Sequence, residues 1–319
     1  MADPGTILQP APSPPAHTQG TIFRGPNGIR AGWRALLFLG IMAGLIGAVN
    51  LVAFIVLHLL KRPPHGFVVA GSLTPVAAIL SDGAILLFSA GAALIMARIE
   101  HRKWGQYGLP VAFAFGRHFW IGLLTGFSAI SASLLAIFSL HGFRLTGLEI
   151  HGRTVLTAAA AWSVAFVIVG LGEEFAFRGY LQYTFTTGMG FWPSAILLSA
   201  LFGLAHAANP GESKFGLLSV VCFGILFCLF LRRTGNLWLA VGFHAGWDWG
   251  QTFFYGVPDS GLHAYHNLFN SAFSGPTWLT GGTVGPEASV FTPLTLLLTG
   301  IIFSRVCREN KYSQLGGTS

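Results

Sequence analysis

Apolar stretches long enough to cross a membrane recur along this chain, and they constrain its fold more than any other feature. A helix of about 20 apolar residues crosses a hydrocarbon core of about 30 Å. Only 9% of the 319 residues are Asp, Glu, Lys or Arg, whereas a typical soluble domain has about 25%. The sequence therefore predicts an all-α membrane protein, a polytopic bundle of about eight transmembrane helices.

The predicted spans are 35–60, 68–97, 119–140, 156–186, 192–208, 217–231, 237–254 and 290–303. Pro75 is expected to start or kink the second span, because proline is tolerated in the first turn of a helix but not in its interior. The first 30 residues are rich in Pro, Gly and polar residues, which predicts a disordered N-terminal tail.

Positive charge predicts the orientation of these spans. Twelve Lys and Arg residues fall on the side of the N-terminus and five on the other side. Cytoplasmic loops carry the excess of Lys and Arg, so both termini are predicted to be cytoplasmic in a multi-pass protein of the cell membrane. The net charge of +7 follows from this distribution. We therefore expect the lipid bilayer, and no nucleic acid, as the partner of the basic residues.

A few ionisable residues fall inside the apolar spans: Asp82, Glu173, Glu174, Arg178, His206, His244 and Asp248. Each costs about 2.5–3.5 kcal/mol near the centre of the bilayer, so such groups are usually paired, hydrated or functional. Asp82 belongs to no motif, and we expect it to have a packing or interfacial role.

Three of these residues are predicted to lie at a similar depth. The fourth and fifth spans form a hairpin that turns near Met189, with Glu173 16 residues before it and His206 17 after it. His244 follows the next turn, at Thr234, by 10 residues. At 1.5 Å per residue, Glu173 and His206 are nearly level and His244 is within about two turns of them. Three helices are thus predicted to present these side chains to one interior cavity.

Helical spacing separates the two adjacent glutamates. Glu174 and Arg178 are four residues apart, in the favourable order for an ion pair, so this pair is predicted to be structural. Glu173 is rotated by about 100° from Glu174 and lacks that partner. His244 and Asp248 are also four apart and share one face of the seventh span.

A carboxylate with two imidazoles suits hydrolysis of a peptide bond. The carboxylate takes a proton from water and later passes it to the leaving amine. Histidine holds the water or donates a hydrogen bond to the oxyanion. The same side chains are also candidate ligands of one divalent metal such as zinc. The absence of an HExxH motif makes that interpretation the weaker one.

These residues resemble a known family. Glu173–Arg178 matches EExxxR, Phe202–His206 matches FxxxH, and His244–Asp248 matches HxxxN/D. In this order and spacing, they resemble the CAAX prenyl protease type II family and its bacterial relatives, the bacteriocin-processing and self-immunity proteins. The similar region covers about 156–251, under a third of the chain.

The resemblance implies an intramembrane endopeptidase that acts on a protein or peptide substrate. It implies that Glu173 activates water with help from His206, that Glu174 supports the base, and that His244 and Asp248 line the oxyanion site. The family has been described both as metal-dependent and as metal-free, and the candidate metal ligands are Glu173, His206, His244 and Asp248. Prenyl proteases carry Asn in the last motif, and ionised Asp cannot donate a hydrogen bond as Asn does.

The chain is accordingly predicted to have five parts: a tail (1–30), N-terminal transmembrane helices (31–150), a CAAX-protease-like catalytic core (151–253), an extracytoplasmic loop (254–288), and a last helix with a cytoplasmic tail (289–319). The stretch SGPTWLTGGTVGPEAS in that loop also resembles bacterial members of the family, with no chemistry assigned to it.

Two alternative functions stay open, a proton-coupled transporter and a catalytically inactive scaffold or immunity protein.

Overall fold

The computed structural model describes residues 21–25, 28–60, 72–209 and 211–312. Its α-helices, in chain order, are α1 (Ala31–Leu59), α2 (Pro75–Ile99), α3 (Arg117–Ser139), α4 (Arg153–Arg178), α5 (Tyr180–Met189), α6 (Phe191–Ala205), α7 (Lys214–Thr234), α8 (Trp238–Asp248), α9 (Thr277–Thr280) and α10 (Phe291–Val306). A π-helical segment, Trp249–Phe254, prolongs α8. The predicted tail lies outside the described residues except at its C-terminal end.

Six helical segments among the described residues are long and apolar enough to cross a membrane. They are Ala31–Leu59, Pro75–Ile99, Arg117–Ser139, Arg153–Met189, Phe191–Ala208 and Lys214–Thr234. The last two predicted spans correspond to α8 with its π extension and to the shorter apolar helix α10. The prediction of an all-α polytopic membrane protein is confirmed.

Two predicted boundaries differ from the structure. The fourth span was expected to be continuous to Thr186, but Gly179 separates α4 from α5. A side chain at Gly179 would overlap the carbonyl of Phe175, so the close turn requires glycine. The second span was expected to start at Val68, which lies outside the described residues, whereas α2 begins at Pro75. There Thr74 caps it by accepting a hydrogen bond from the Ala77 N–H at 3.2 Å.

Short strands connect the ends of the helices. These are β1 (Arg24–Gly25), β2 (Gly28–Ile29), β3 (Ser72–Leu73), β4 (Phe143–Leu148), β5 (His263–Ala264) and β6 (Phe269–Phe273). β1 and β2 are antiparallel, β3 and β5 are parallel, and β4 pairs with β6 in an antiparallel ladder. The loop after α8 is therefore bound to the segments that precede α2 and α4.

Glycines allow α3 and α8 to pack with their backbones in contact. Gly122 and Gly126 on α3 face the backbone of α8, and Gly242 and Gly246 on α8 face the backbone of α3. A Cβ at any of the four positions would overlap a backbone atom of the other helix. Such small residues at spacing four are typical of helix pairs in membranes, where close packing replaces the hydrophobic effect. This crossing fixes the helix that carries His244 and Asp248.

A polar cluster joins α1, α2 and α5 on the side of the N-terminus. Arg34 forms a two-point contact with Glu100, with an N–O distance of 2.7 Å, and the Tyr180 hydroxyl donates to the same carboxylate. Arg102 lies 3.3 Å from Glu100. Arg34 therefore ties α1 to the end of α2, in addition to the topological role that the sequence predicts for such residues.

Candidate functional site

A cavity of about 360 Å³ opens between the helices of the motif region. Among the residues that line it are Glu173 on α4, His206 after α6, and His244 and Asp248 on α8. The depth argument from the sequence places Glu173, His206 and His244 at a similar depth, and the structure brings them around one cavity. Their individual roles in a reaction stay predictions.

His244 lies between three carboxyl groups. Its Nδ1 is 3.2 Å from Glu174 Oε1, and its Nε2 is 3.6 Å from Glu173 Oε2 and 3.4 Å from Asp248 Oδ2. Phe227 stacks on the ring with centroids 5.6 Å apart. Both ring nitrogens thus face an acceptor, and the imidazolium is the form in which both donate. The ring is held in one orientation with Nε2 towards the cavity.

The Glu174–Arg178 ion pair is present, with both side chains buried. Arg178 Nη1 lies 3.3 Å from Glu174 Oε1, and the guanidinium lies 4.2 Å from the centre of the Phe202 ring. The expected support of Glu173 by Glu174 stays a prediction, and Glu174 Oε1 also lies 3.2 Å from Nδ1 of His244. Since the same Oε1 atom faces both partners, Arg178 neutralises the carboxylate that orients His244.

The backbone orients His206. Its Nδ1 is 2.9 Å from the carbonyl of Phe202, one turn earlier, and its ring packs edge-on against the Phe202 ring. The Nδ1–H can only donate to a carbonyl, so Nε2 is the nitrogen left for the cavity. The position follows from the helix end, because α6 stops at Ala205 and His206 begins a 3₁₀ turn.

Three carboxyl residues of the cavity are missing from the sequence-based site. Asp82, expected to serve packing or the interface, lines the cavity from α2, and Gly172 allows α2 and α4 to approach beside it. Asp259 and Glu287 line the cavity from the loop between α8 and α10. Glu287 belongs to the GPEAS sequence. The resemblance of that stretch to bacterial family members was therefore the feature of the sequence that could have pointed to Glu287 as a site residue.

The π-helical segment after α8 positions this loop. Gln251 accepts a hydrogen bond from the Trp247 indole at 2.7 Å and donates to the carbonyl of Pro258 at 2.7 Å. Thr252 donates to Asp259 Oδ2 at 2.7 Å. A π turn changes the direction of successive side chains, and such turns are common at functional sites. Here it points two polar side chains at the loop.

The candidate metal ligands have suitable donor types. His206 and His244 each present Nε2 to the cavity, and Glu173 and Asp248 add carboxylate oxygens. Zinc accepts two imidazoles with carboxylates. These donor types suit such an ion, and metal binding here stays an expectation.

Burial alters the acidity of the loop carboxyl groups. It raises the pKa of Asp259 to about 6, against an opposing hydrogen bond from Thr252. Burial, followed by the charge of Asp259, raises the pKa of Glu287 to about 8. Other ionisable groups that act on this pair are Asp248, Glu173, Glu212, His206 and His244.

We expect the protein to lose stability as pH rises from about 5 to about 8. Glu287 ionises near pH 4.5 when unfolded but near 8 when folded, so the folded state binds more protons in this window and its stability falls with pH. Over the same pH window, the melting temperature of Glu287→Gln in detergent should fall by several degrees less than that of the wild type. Glu149→Gln, which removes a loop carboxylate outside the cavity lining, serves as the control. Parallel pH profiles for wild type and Glu287→Gln would contradict the assignment.

A cavity lined by carboxylates and imidazoles within a helical membrane bundle has the composition expected of an intramembrane hydrolase. Residues 155–250 match the family described as Type II CAAX prenyl endopeptidase Rce1-like. The matched segment contains all three motifs, and it confirms the resemblance indicated by the sequence. No curated protein is detectably similar to the chain.

Proposed function

We propose that this protein is an intramembrane endopeptidase that hydrolyses a peptide bond of a membrane-associated protein or peptide by means of a water activated by Glu173. The observation that carries the proposal is the arrangement of Glu173, His206 and His244 around one cavity, contributed by three helical segments. The family match of residues 155–250 supports the class of reaction.

In this mechanism, water binds between Glu173 and the Nε2 of His206. Glu173 removes a proton as the water oxygen attacks the carbonyl carbon of the peptide bond. The oxyanion that forms accepts a hydrogen bond from the Nε2–H of His244, whose orientation Glu174 maintains. As the C–N bond breaks, Glu173 passes its proton to the leaving amine. In the alternative with a metal, Glu173, His206, His244 and Asp248 would hold a zinc ion, with Nε2 of His244 unprotonated, and the ion would polarise the water in place of that hydrogen bond.

Asp248 has two possible contributions in this arrangement. It lies beside the Nε2 of His244 and therefore stabilises the imidazolium that faces the oxyanion. With a proton on its carboxyl group, it would instead donate a hydrogen bond to the oxyanion, as Asn would.

The proposal is tested with the purified protein in detergent and a broad library of quenched fluorescent peptides. Cleavage that requires Glu173 supports the endopeptidase. An absence of Glu173-dependent cleavage across the library contradicts it and favours an inactive scaffold or immunity protein. Proton-coupled flux in liposomes that is lost in Glu173→Ala would instead favour a transporter. Metal analysis of the active protein in the same preparation decides whether zinc is present.

Asp248→Asn is expected to retain activity within about tenfold of wild type, because the amide preserves the shape of the side chain and the ability to donate. The measurement is kcat/KM on the best library peptide, with the metal content determined in parallel. A loss of activity beyond 10²-fold, together with chelator sensitivity of the wild type, would identify Asp248 as a metal ligand. That outcome would contradict the metal-free oxyanion role.

A further inference from the structure

The loop between α8 and α10 places two carboxyl groups in the candidate active-site cavity. Asp259 and Glu287 are 9% and 7% exposed, and both line the cavity that contains Glu173. Each offers an oxygen to a group formed with Asp248, in which the three oxygen atoms lie within 4.8 Å of one another. Neither residue belongs to the three helical motifs, so the proposed hydrolysis leaves them without a role.

The glycines of the GGTVGPE sequence hold Glu287 in this place. Gly285 has a φ of +100° and lies against the carbonyl of Pro258, where any side chain would overlap. Gly281 has a φ of +82° and lies directly against Gly285. The Gly261 N–H donates to the carbonyl of Val284 at 3.0 Å. Because these positions require glycine, the loop has little freedom to withdraw Glu287 from Asp259.

Each loop carboxyl group keeps one oxygen available to the cavity. Asp259 Oδ2 accepts from Thr252, and Glu287 Oε2 accepts from the N–H and hydroxyl of Ser260 at 3.0 and 2.9 Å. Within the described residues, the second oxygen of each group accepts no hydrogen bond. Since no described donor of the protein binds these two oxygens, they are open to a ligand that donates to them.

The cavity as a whole has an excess of acidic groups. The carboxyl residues that line it are Asp82, Glu173, Asp248, Asp259 and Glu287. His206 and His244 are the basic groups of the lining, and none of its described residues is a Lys or Arg. Buried carboxylates without a cationic partner are unfavourable. A positively charged ligand would remove that penalty.

We propose that Asp259 and Glu287, together with Asp248, form a subsite that binds a lysine or arginine side chain of the peptide substrate next to the bond that is cleaved. The inference rests on the proposed endopeptidase function. Asp248 and Glu173 approach the same nitrogen of His244, so the subsite begins beside the reacting carbonyl. A lysine side chain reaches about 6 Å from its Cα, which allows a residue within one or two positions of that bond to enter.

The test uses pairs of quenched peptides that are identical except at one position. Lysine is paired with norleucine and arginine with citrulline, at each of the three positions on either side of the cleaved bond. We expect one position at which the cationic peptide has a kcat/KM at least tenfold higher in the wild-type protein. In Asp259→Asn and Glu287→Gln, that ratio should fall to below threefold. The ratio is taken within each variant, so it does not depend on the amount of folded protein.

Glu149→Gln is the matched control, because Glu149 contacts the same loop by accepting a hydrogen bond from the N–H of His266 and does not line the cavity. It should keep the tenfold ratio. Equal cleavage of both members of every pair by the wild type would overturn the subsite while leaving the endopeptidase intact. A divalent ion bound stoichiometrically by the wild type and lost in Glu287→Gln would also overturn it, since the subsite would then hold a metal. If no peptide is cleaved, the proposed function itself fails.

Discussion

Replacing Glu173 by Ala is expected to lower kcat by at least about 10³-fold while leaving the protein folded. General acid–base catalysis by one positioned side chain contributes about 10²–10⁴-fold, and Glu173 is proposed to act twice, as base and then as acid. The measurement is kcat on a cleaved library peptide, with the melting temperature as the readout of folding. Glu173→Gln should show a similar loss, because the amide keeps the size of the side chain but cannot accept the proton.

The matched control is Glu309→Ala, which removes a carboxylate whose side chain is 82% exposed and remote from the cavity. It should cleave at the wild-type rate. Activity of Glu173→Ala close to that of Glu309→Ala would eliminate Glu173 as the base, and with it the mechanism. An increase in KM with kcat unchanged would mean that Glu173 binds substrate and does not transfer protons.

Gly246→Val is expected to prevent assembly of the bundle. The first atom of the new side chain would overlap the backbone of Leu123, and backbone atoms cannot move aside without separating α3 from α8. Overpacking of a well-packed interior costs about 1–3 kcal/mol even where side chains can adjust, so a larger loss of unfolding free energy is expected here. The measurement is the yield of monodisperse protein in detergent, with the melting temperature of any that remains.

Gly40→Val provides the comparison, because a Cβ on Gly40 of α1 has no neighbour within 4 Å. The same substitution there should leave the yield and melting temperature near the wild-type values. Wild-type stability of Gly246→Val would show that α3 and α8 do not cross in direct contact. The position of His244 and Asp248 would then need another explanation.

The sequence was sufficient for the parts of the fold that repeat a simple physical rule. A bilayer requires about 20 apolar residues per span, so the helices could be located by counting. The prediction that Glu173, His206 and His244 face one cavity required only the rise per residue and the positions of two turns. Glu174 and Arg178 were paired by their spacing alone.

Contacts between residues far apart in the sequence could not be predicted from the spacing of residues within one helix. Asp82 was expected to be a packing or interfacial residue because nothing in its own helix indicates which neighbour it faces. Asp259 and Glu287 are 28 residues apart in a loop, and they meet only because several glycines and a π turn fold that loop back into the bundle. The contact of Glu174 with His244 depends on the mutual rotation of α4 and α8, which spacing within one helix does not determine.

The pairing of β4 with β6 has a consequence for how a peptide reaches the cavity. Five paired positions attach the loop that carries Asp259 to the chain segment that leads into α4. Moving this loop aside to admit a substrate from the water would break those pairs. A chain that already lies in the plane of the bilayer needs no such opening, since it can arrive sideways between helices whose outer faces are apolar.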